Sequence, residues 1–219
     1  MEKENVKNKI VIFDFDYTLV DASDSIVESF RYALPISSVE SLSDTDIKKT
    51  IGLSLKSAFE MLVGYYDEEK YSVFYQKFLD KTKQIMLGNT VVFSGVKEVI
   101  HTLKSNGMLI AIVTNKFSED VFDVLRRERI ENLVDFVVGG DMVSAPKPSP
   151  ESLISVLDKF HVKKEEAVYI GDHEVDAIAA QRAGIDYIGV LTGMSSGDQL
   201  CKYNNLGIVS KLDEIIPLI

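Results

Sequence analysis

One cysteine, no tryptophan, three histidines and five prolines occur in this chain of 219 residues. The single thiol, Cys201, excludes an intramolecular disulfide and any metal site built from several cysteines. It also suits a reducing compartment. Long hydrophobic runs are missing too. Residues 10–13 and 108–113 are far too short for a signal peptide or a membrane span, and residues 1–9 are polar. A soluble cytoplasmic protein without a membrane partner is therefore expected. Positive charge is scarce, with 24 Lys and Arg against 34 Asp and Glu, a formal net charge of −10. That argues against a basic face for nucleic acid. An anionic substrate would need a local cation against an unfavourable overall field.

What is present is a series of short apolar runs: residues 10–13, 109–113, 135–140, 167–172 and 187–190. Most are continuous rather than alternating, as in parallel strands covered on both faces. Helical patterns separate them. Residues 95–107 place Val96, Val99, Ile100 and Leu103 on one stripe and stop at Gly107. Residues 118–130 open on Ser118 as a cap, residues 149–160 open on Ser149 and Pro150, and residues 175–184 close on Gly184. Alternating strands and helices predict an α/β fold, a Rossmann-like parallel sheet core flanked by helices.

One interval breaks the alternation. Residues 23–34, 44–51, 54–63 and 67–87 are helix-like, with a polar loop expected at residues 37–45. Tyr71, Phe74, Tyr75, Phe78 and Leu79 fall at helical spacing, the pattern of a packed face. The expected organisation is a core of residues 1–20 and 90–219 with an inserted all-helical cap domain at residues 21–89.

Ligands of open parallel sheets bind beyond the carboxyl ends of the strands. There the sequence supplies Asp14 and Asp16, then Thr114 and Asn115, then Lys147, then Asp172 and Asp176. In extended chain, residues i and i+2 point the same way. Asp14 and Asp16 could thus share a cleft, where two carboxylates repel unless a cation joins them. Mg²⁺ suits such hard oxygen ligands. Asp172 could complete the set, and Asp176, four residues on, could support it. Thr114 offers a hydroxyl and Lys147 a point charge between two prolines. Taken singly, each piece is also an ordinary turn, cap or solvated lysine.

The segments DFDYTLVD, VTNK, KPSP and GDHEVD, in that order, resemble the four motifs of the haloacid dehalogenase-like hydrolase superfamily. The likeness covers nearly the whole chain. It is strongest to the phosphoglycolate phosphatase and pyrophosphatase-like branch, through SGVKEVIHTLKSNG, IAIVTNK and YIGDHEVDAIAAQRAG. The resemblance implies a phosphoric monoester hydrolase acting on small phosphorylated metabolites. Asp14 would be the nucleophile, Asp16 the acid and base, and Thr114, Asn115 and Lys147 the phosphoryl-holding groups. Mg²⁺ would lie on Asp14, Asp16 (through its carbonyl) and Asp172, with Asp176 and His173 behind them. Two positions depart from the pattern: Tyr17 replaces the usual glycine and His173 a small hydroxylated residue. In the cap, Gly52, Ser54 and Lys56 are candidates for contact with the leaving group. A sugar-phosphate mutase, an inorganic pyrophosphatase and a catalytically silent phosphate- or metal-binding module are the alternatives on this scaffold.

Overall fold

The structure, a computed structural model, describes residues 9–34 and 42–219. Six parallel strands form the central sheet: β1 (Ile10–Phe13), β4 (Leu109–Val113), β5 (Phe136–Val138), β6 (Ala167–Gly171), β7 (Asp186–Val190) and β8 (Gly207–Val209). Their order across the sheet is β5-β4-β1-β6-β7-β8, so β1 lies inside it. Five of the six coincide with the apolar runs. β8 (GIV) escaped notice because three residues on a sheet edge carry too little apolar signal.

Alternation along each strand explains the two cores. Val11 and Phe13, with Ile110, Ile112, Val168 and Ile170, pack on one face. There they meet the stripes of α5 (Val96–Ser105) and α6 (Ser118–Glu128). Ile10 and Ile12, with Ala111, Val113 and Tyr169, pack on the other. That face is covered by α7 (Glu151–Phe160) and α8 (Glu174–Ala183). Each fully buried Ile, Val or Leu contributes about 1.5–3 kcal/mol relative to exposure. The helices change face between β5 and β6, which makes the gap around β1 a topological switch point.

One expected cap was misplaced. Phe117, not Ser118, is the N-cap of α6, and Ser118 is its first helical residue. The Ser118 N–H and hydroxyl donate instead to Asp141, at 2.7 and 2.8 Å. A carboxylate arriving from another segment satisfies the helix start better than a local hydroxyl.

A short antiparallel ribbon, β2 (Val20–Asp21) with β3 (Val91–Val92), joins the sheet to the inserted helices. Among the described residues these are α1 (Ser23–Ala33), α2 (Asp44–Lys48), α3 (Leu55–Val63) and α4 (Glu68–Asn89). Ser43, Ser54 and Asp67 cap the last three through side-chain oxygens. The expected loop at residues 37–45 lies outside the described residues as far as Ser41; Ser43 begins α2. Phe30, Phe59, Phe74 and Phe78 make a separate apolar cluster, with ring centroids 4.9–5.8 Å apart for the contacting pairs.

Candidate active site

Strand parity places the first carboxylate. Asp14 continues the Ile10, Ile12 side of β1, and its N–H donates to the Ile170 carbonyl at 2.8 Å. Its neighbours on that face are Tyr169, Lys147 and Asp176. The Lys147 ammonium lies 2.6 Å from Asp14 Oδ1, 2.7 Å from Asp176 Oδ1 and 2.9 Å from the Tyr169 hydroxyl. All four groups are buried. Asp14 Oδ2, also buried, has no hydrogen-bond partner.

Three carboxylates, Asp14, Asp172 and Asp176, bring oxygens within 4.8 Å of one another. Lys147 is the one ammonium bonded to this trio among the described residues. Burial pushes Asp14 up to about 7; Lys147 pulls it down and Asp176 pushes it further up. Burial likewise holds Asp172 well above the usual carboxylate range, with Asp176 and Asp14 adding to the effect. Burial alone would depress the Lys147 ammonium, but Asp14 and Asp176 together hold it above the usual lysine range. Fully ionised, the three carboxylates would carry more negative charge than one lysine balances, and burial answers by raising the hold of Asp14 and Asp172 on protons. An unpartnered buried oxygen in an all-oxygen donor set fits a divalent cation held by Asp14 and Asp172.

Asp16 stands apart from that trio. The expectation that Asp14 and Asp16 would crowd one another requires correction. β1 ends at Phe13, and residues 15–20 turn back, with the Thr18, Leu19 and Val20 N–H groups all on the Phe15 carbonyl. Extended-strand parity does not survive that turn. Both Asp16 oxygens accept from the Lys116 ammonium at 3.2 Å. Asp14's carboxylate neighbours come instead from the end of β6 and the start of α8.

Thr114 lies buried at the end of β4, its hydroxyl accepting from the Lys116 N–H at 3.2 Å. Asn115 clamps two backbones. Its Oδ1 accepts from the Lys147 N–H at 2.8 Å, and its Nδ2 donates to the Gly52 and Lys147 carbonyls at 2.8 and 3.2 Å. Its side-chain amide is thus already engaged. Asp176 accepts from the His173 N–H at 3.0 Å as part of a reciprocal cap on α8.

His173 and Tyr17, the two departures, both reach the helical insert. The His173 ring lies 3.4 Å from where a Cβ on Gly52 would stand, and the Lys49 carbonyl faces it. Burial depresses its basicity, so it caps as a neutral ring, Nδ1 accepting from the Val175 N–H at 3.2 Å. Tyr17 takes a left-handed backbone, φ +61°, which explains why glycine suits this position. Its side chain belongs to the apolar cluster of the inserted helices, and its carbonyl accepts from the Thr192 hydroxyl. Gly52, with φ +97°, reaches the site through its backbone. Ser54 and Lys56 are not brought there. Ser54 caps α3, and the Lys56 ammonium lies 4.0 Å over the exposed Tyr66 ring.

Four residues were missed. Lys116 directly follows Thr114 and Asn115, so its place in the VTNK segment was the available signal. Tyr169 reads as one more strand aromatic, although its hydroxyl touches both Lys147 and Asp176. Thr18 donates to Asp172 at 3.3 Å. Gly193 crowds Asp172 so closely that a Cβ would stand 1.7 Å from Oδ2. That contact joins segments remote in sequence and leaves no local pattern.

The chain is similar to known proteins over nearly its whole length. The chain is 26% identical over 217 residues to a phosphoglycolate phosphatase of Colwellia psychrerythraea, covering 96% of each. It is 27% identical over 214 residues to the pyrophosphatase PpaX of Bacillus mycoides, covering 98% of each. A solved haloacid dehalogenase-like hydrolase from Bacteroides fragilis superposes with a TM-score of 0.93 at 34% identity, over 96% of this chain and all of that one. The family model for haloacid dehalogenase-like hydrolases matches residues 11–190, from β1 through β7 and across every residue of the buried cluster, and the chain belongs to that family.

Proposed function

We propose that the protein is a Mg²⁺-dependent phosphatase that hydrolyses small phosphorylated metabolites through an aspartyl-phosphate on Asp14. The observation that carries this reading is the asymmetry of one carboxylate. Lys147 holds Asp14 Oδ1 at 2.6 Å, while Oδ2 is buried without a partner. A carboxylate fixed by one oxygen is held in a single orientation, for attack and for a cation beside it.

The steps follow from the residues around it. A carboxylate oxygen of Asp14 forms a bond to phosphorus as the bond to the leaving oxygen breaks, and that leaving oxygen keeps the electron pair. Asp16, held on Lys116, gives the leaving oxygen its proton. Asp16, now a carboxylate, takes a proton from a water that attacks phosphorus. The bond between Asp14 and phosphorus then breaks, which restores Asp14 and frees inorganic phosphate. Thr114, Lys147 and the backbone N–H of Asn115 hold the phosphoryl oxygens meanwhile. Asp14, Asp172 and the Asp16 carbonyl would hold Mg²⁺, which would supply positive charge to screen the nucleophile from an anionic substrate. Residues 21–89 act as a cap that closes over a core of residues 1–20 and 90–219, with the β2–β3 ribbon as the hinge.

The test is a phosphate-release screen over phosphorylated metabolites and p-nitrophenyl phosphate, with and without Mg²⁺. Release that needs Mg²⁺ and disappears in Asp14→Asn is expected. Unchanged metal-dependent release by Asp14→Asn would overturn the mechanism, and a requirement for a bisphosphate activator would mark a mutase instead.

A further inference from the structure

We infer that the substrate's leaving group is a small, uncharged, mainly apolar alcohol, of about the size of a four- or five-carbon chain, rather than a carboxylate or a second phosphate. This rests on the phosphatase reading above and narrows it. A cavity of about 80 Å³ lies between the inserted helices and the carboxyl end of the sheet. By the space one water requires, it has room for roughly five to eight water-sized groups. Asp16, the group assigned to protonate the leaving oxygen, lines it. The leaving group must therefore enter this cavity.

Its lining is apolar over most of its extent, including Ile26, Phe30, Ile51, Leu55, Phe78 and Met86. The polar side chains are largely engaged within the protein. Thr50 donates to the Ile47 carbonyl at 2.7 Å, Thr82 to Ser29 Oγ at 3.2 Å, and Asn115 to the Gly52 carbonyl at 2.8 Å. Lys116 is the only cation among the described lining residues, and both oxygens of Asp16 already occupy it. The remaining charged group is a second carboxylate, Asp120. An anionic leaving group would thus meet Asp120 and a lysine that Asp16 and Asp120 share, with no cation free of a carboxylate neighbour among the described lining residues. Desolvating its charge there would go uncompensated. An aliphatic leaving group loses nothing of the kind and gains contact with the phenylalanine and isoleucine walls.

The experiment compares kcat/KM for n-butyl phosphate, 2-phosphoglycolate and inorganic pyrophosphate with Mg²⁺, p-nitrophenyl phosphate serving as the check on phosphatase chemistry. The expected result is a preference for n-butyl phosphate on the order of tenfold or more over either anionic substrate. If p-nitrophenyl phosphate is cleaved while 2-phosphoglycolate or pyrophosphate equals or exceeds n-butyl phosphate, the inference is overturned and the phosphatase reading stands. If no substrate is cleaved, the phosphatase reading itself fails and takes the inference with it. Leu53→Lys, on the half-buried rim of the cavity, supplies a free ammonium. With p-nitrophenyl phosphate turnover and melting temperature as checks on folding, it should raise the ratio of 2-phosphoglycolate to n-butyl phosphate turnover about tenfold. An unchanged ratio in folded Leu53→Lys would show that the leaving group lies elsewhere.

Discussion

Lys147 balances a buried cluster that would otherwise hold only negative charge and a phenol. Removing one partner from a buried ion pair typically costs about 3–5 kcal/mol, because the other charge is left uncompensated. Lys147→Met should destabilise the metal-free protein by that order in urea unfolding; a loss near zero would mean that the carboxylates are already neutral. Tyr17 sets two opposing terms against each other. Relief of a left-handed backbone gains about 1 kcal/mol on substitution by glycine. Loss of a buried aromatic costs about 3–5 kcal/mol. Tyr17→Gly should therefore lower stability by about 2–4 kcal/mol, and a stabilised variant would show that the ring contributes little. Asp14, Asp16, Thr114, Lys147, Asp172 and Asp176 were legible in the sequence as chemistry, since each follows an apolar run. The partnership of Asp16 with Lys116 was not, because strand parity does not carry through the turn at residues 15–20.

At the scale of elements, several contacts join core and insert at the site. Asn115 bonds the Gly52 carbonyl, His173 meets Gly52 and Lys49, and Tyr17 enters the aromatic cluster. The ribbon pairs Val20 with Val92 and Asp21 with Val91, so both connections to the insert run side by side. Hydrogen exchange with Mg²⁺ and a phosphate analogue should therefore slow at residues 50–53 and change at residues 20–21 and 91–92. No change at either place would count against closure about this ribbon. Five of the six parallel strands and the inserted helices were legible from apolar periodicity. The two-residue strands β2 and β3 were not, because pairing between residues some seventy positions apart leaves no local pattern.

For the molecule as a whole, charge governs both stability and encounter. Asp14 binds its proton more tightly folded than unfolded, so stability carried by that proton is lost as pH rises through about 7. Asp172 acts in the same direction. His173, depressed by burial, acts oppositely but only below its unfolded value near 6.5. Metal-free protein should therefore lose stability as pH rises from about 4 to about 7, His173 offsetting part of the loss, and Mg²⁺ should restore it, increasingly so at the higher pH. Urea unfolding in chelator and in Mg²⁺ measures this, and a flat or rising metal-free profile would contradict the charge excess. The net charge of −10 also repels a dianionic substrate. Raising ionic strength from about 10 to 150 mM, which shortens the screening length to about 8 Å, should raise kcat/KM rather than lower it.

The central claim is that Asp14 itself carries the phosphoryl group. Asp16→Asn should slow attack by water on the intermediate while Asp14 remains able to form it. Rapid acid quench of that variant with substrate and Mg²⁺, followed by peptide mass spectrometry, locates the group directly. The account predicts one phosphoryl on the peptide containing Asp14, absent when Asp14→Asn is added. Phosphate release with Asp14 never modified, or a phosphoryl group on any other residue, would contradict it.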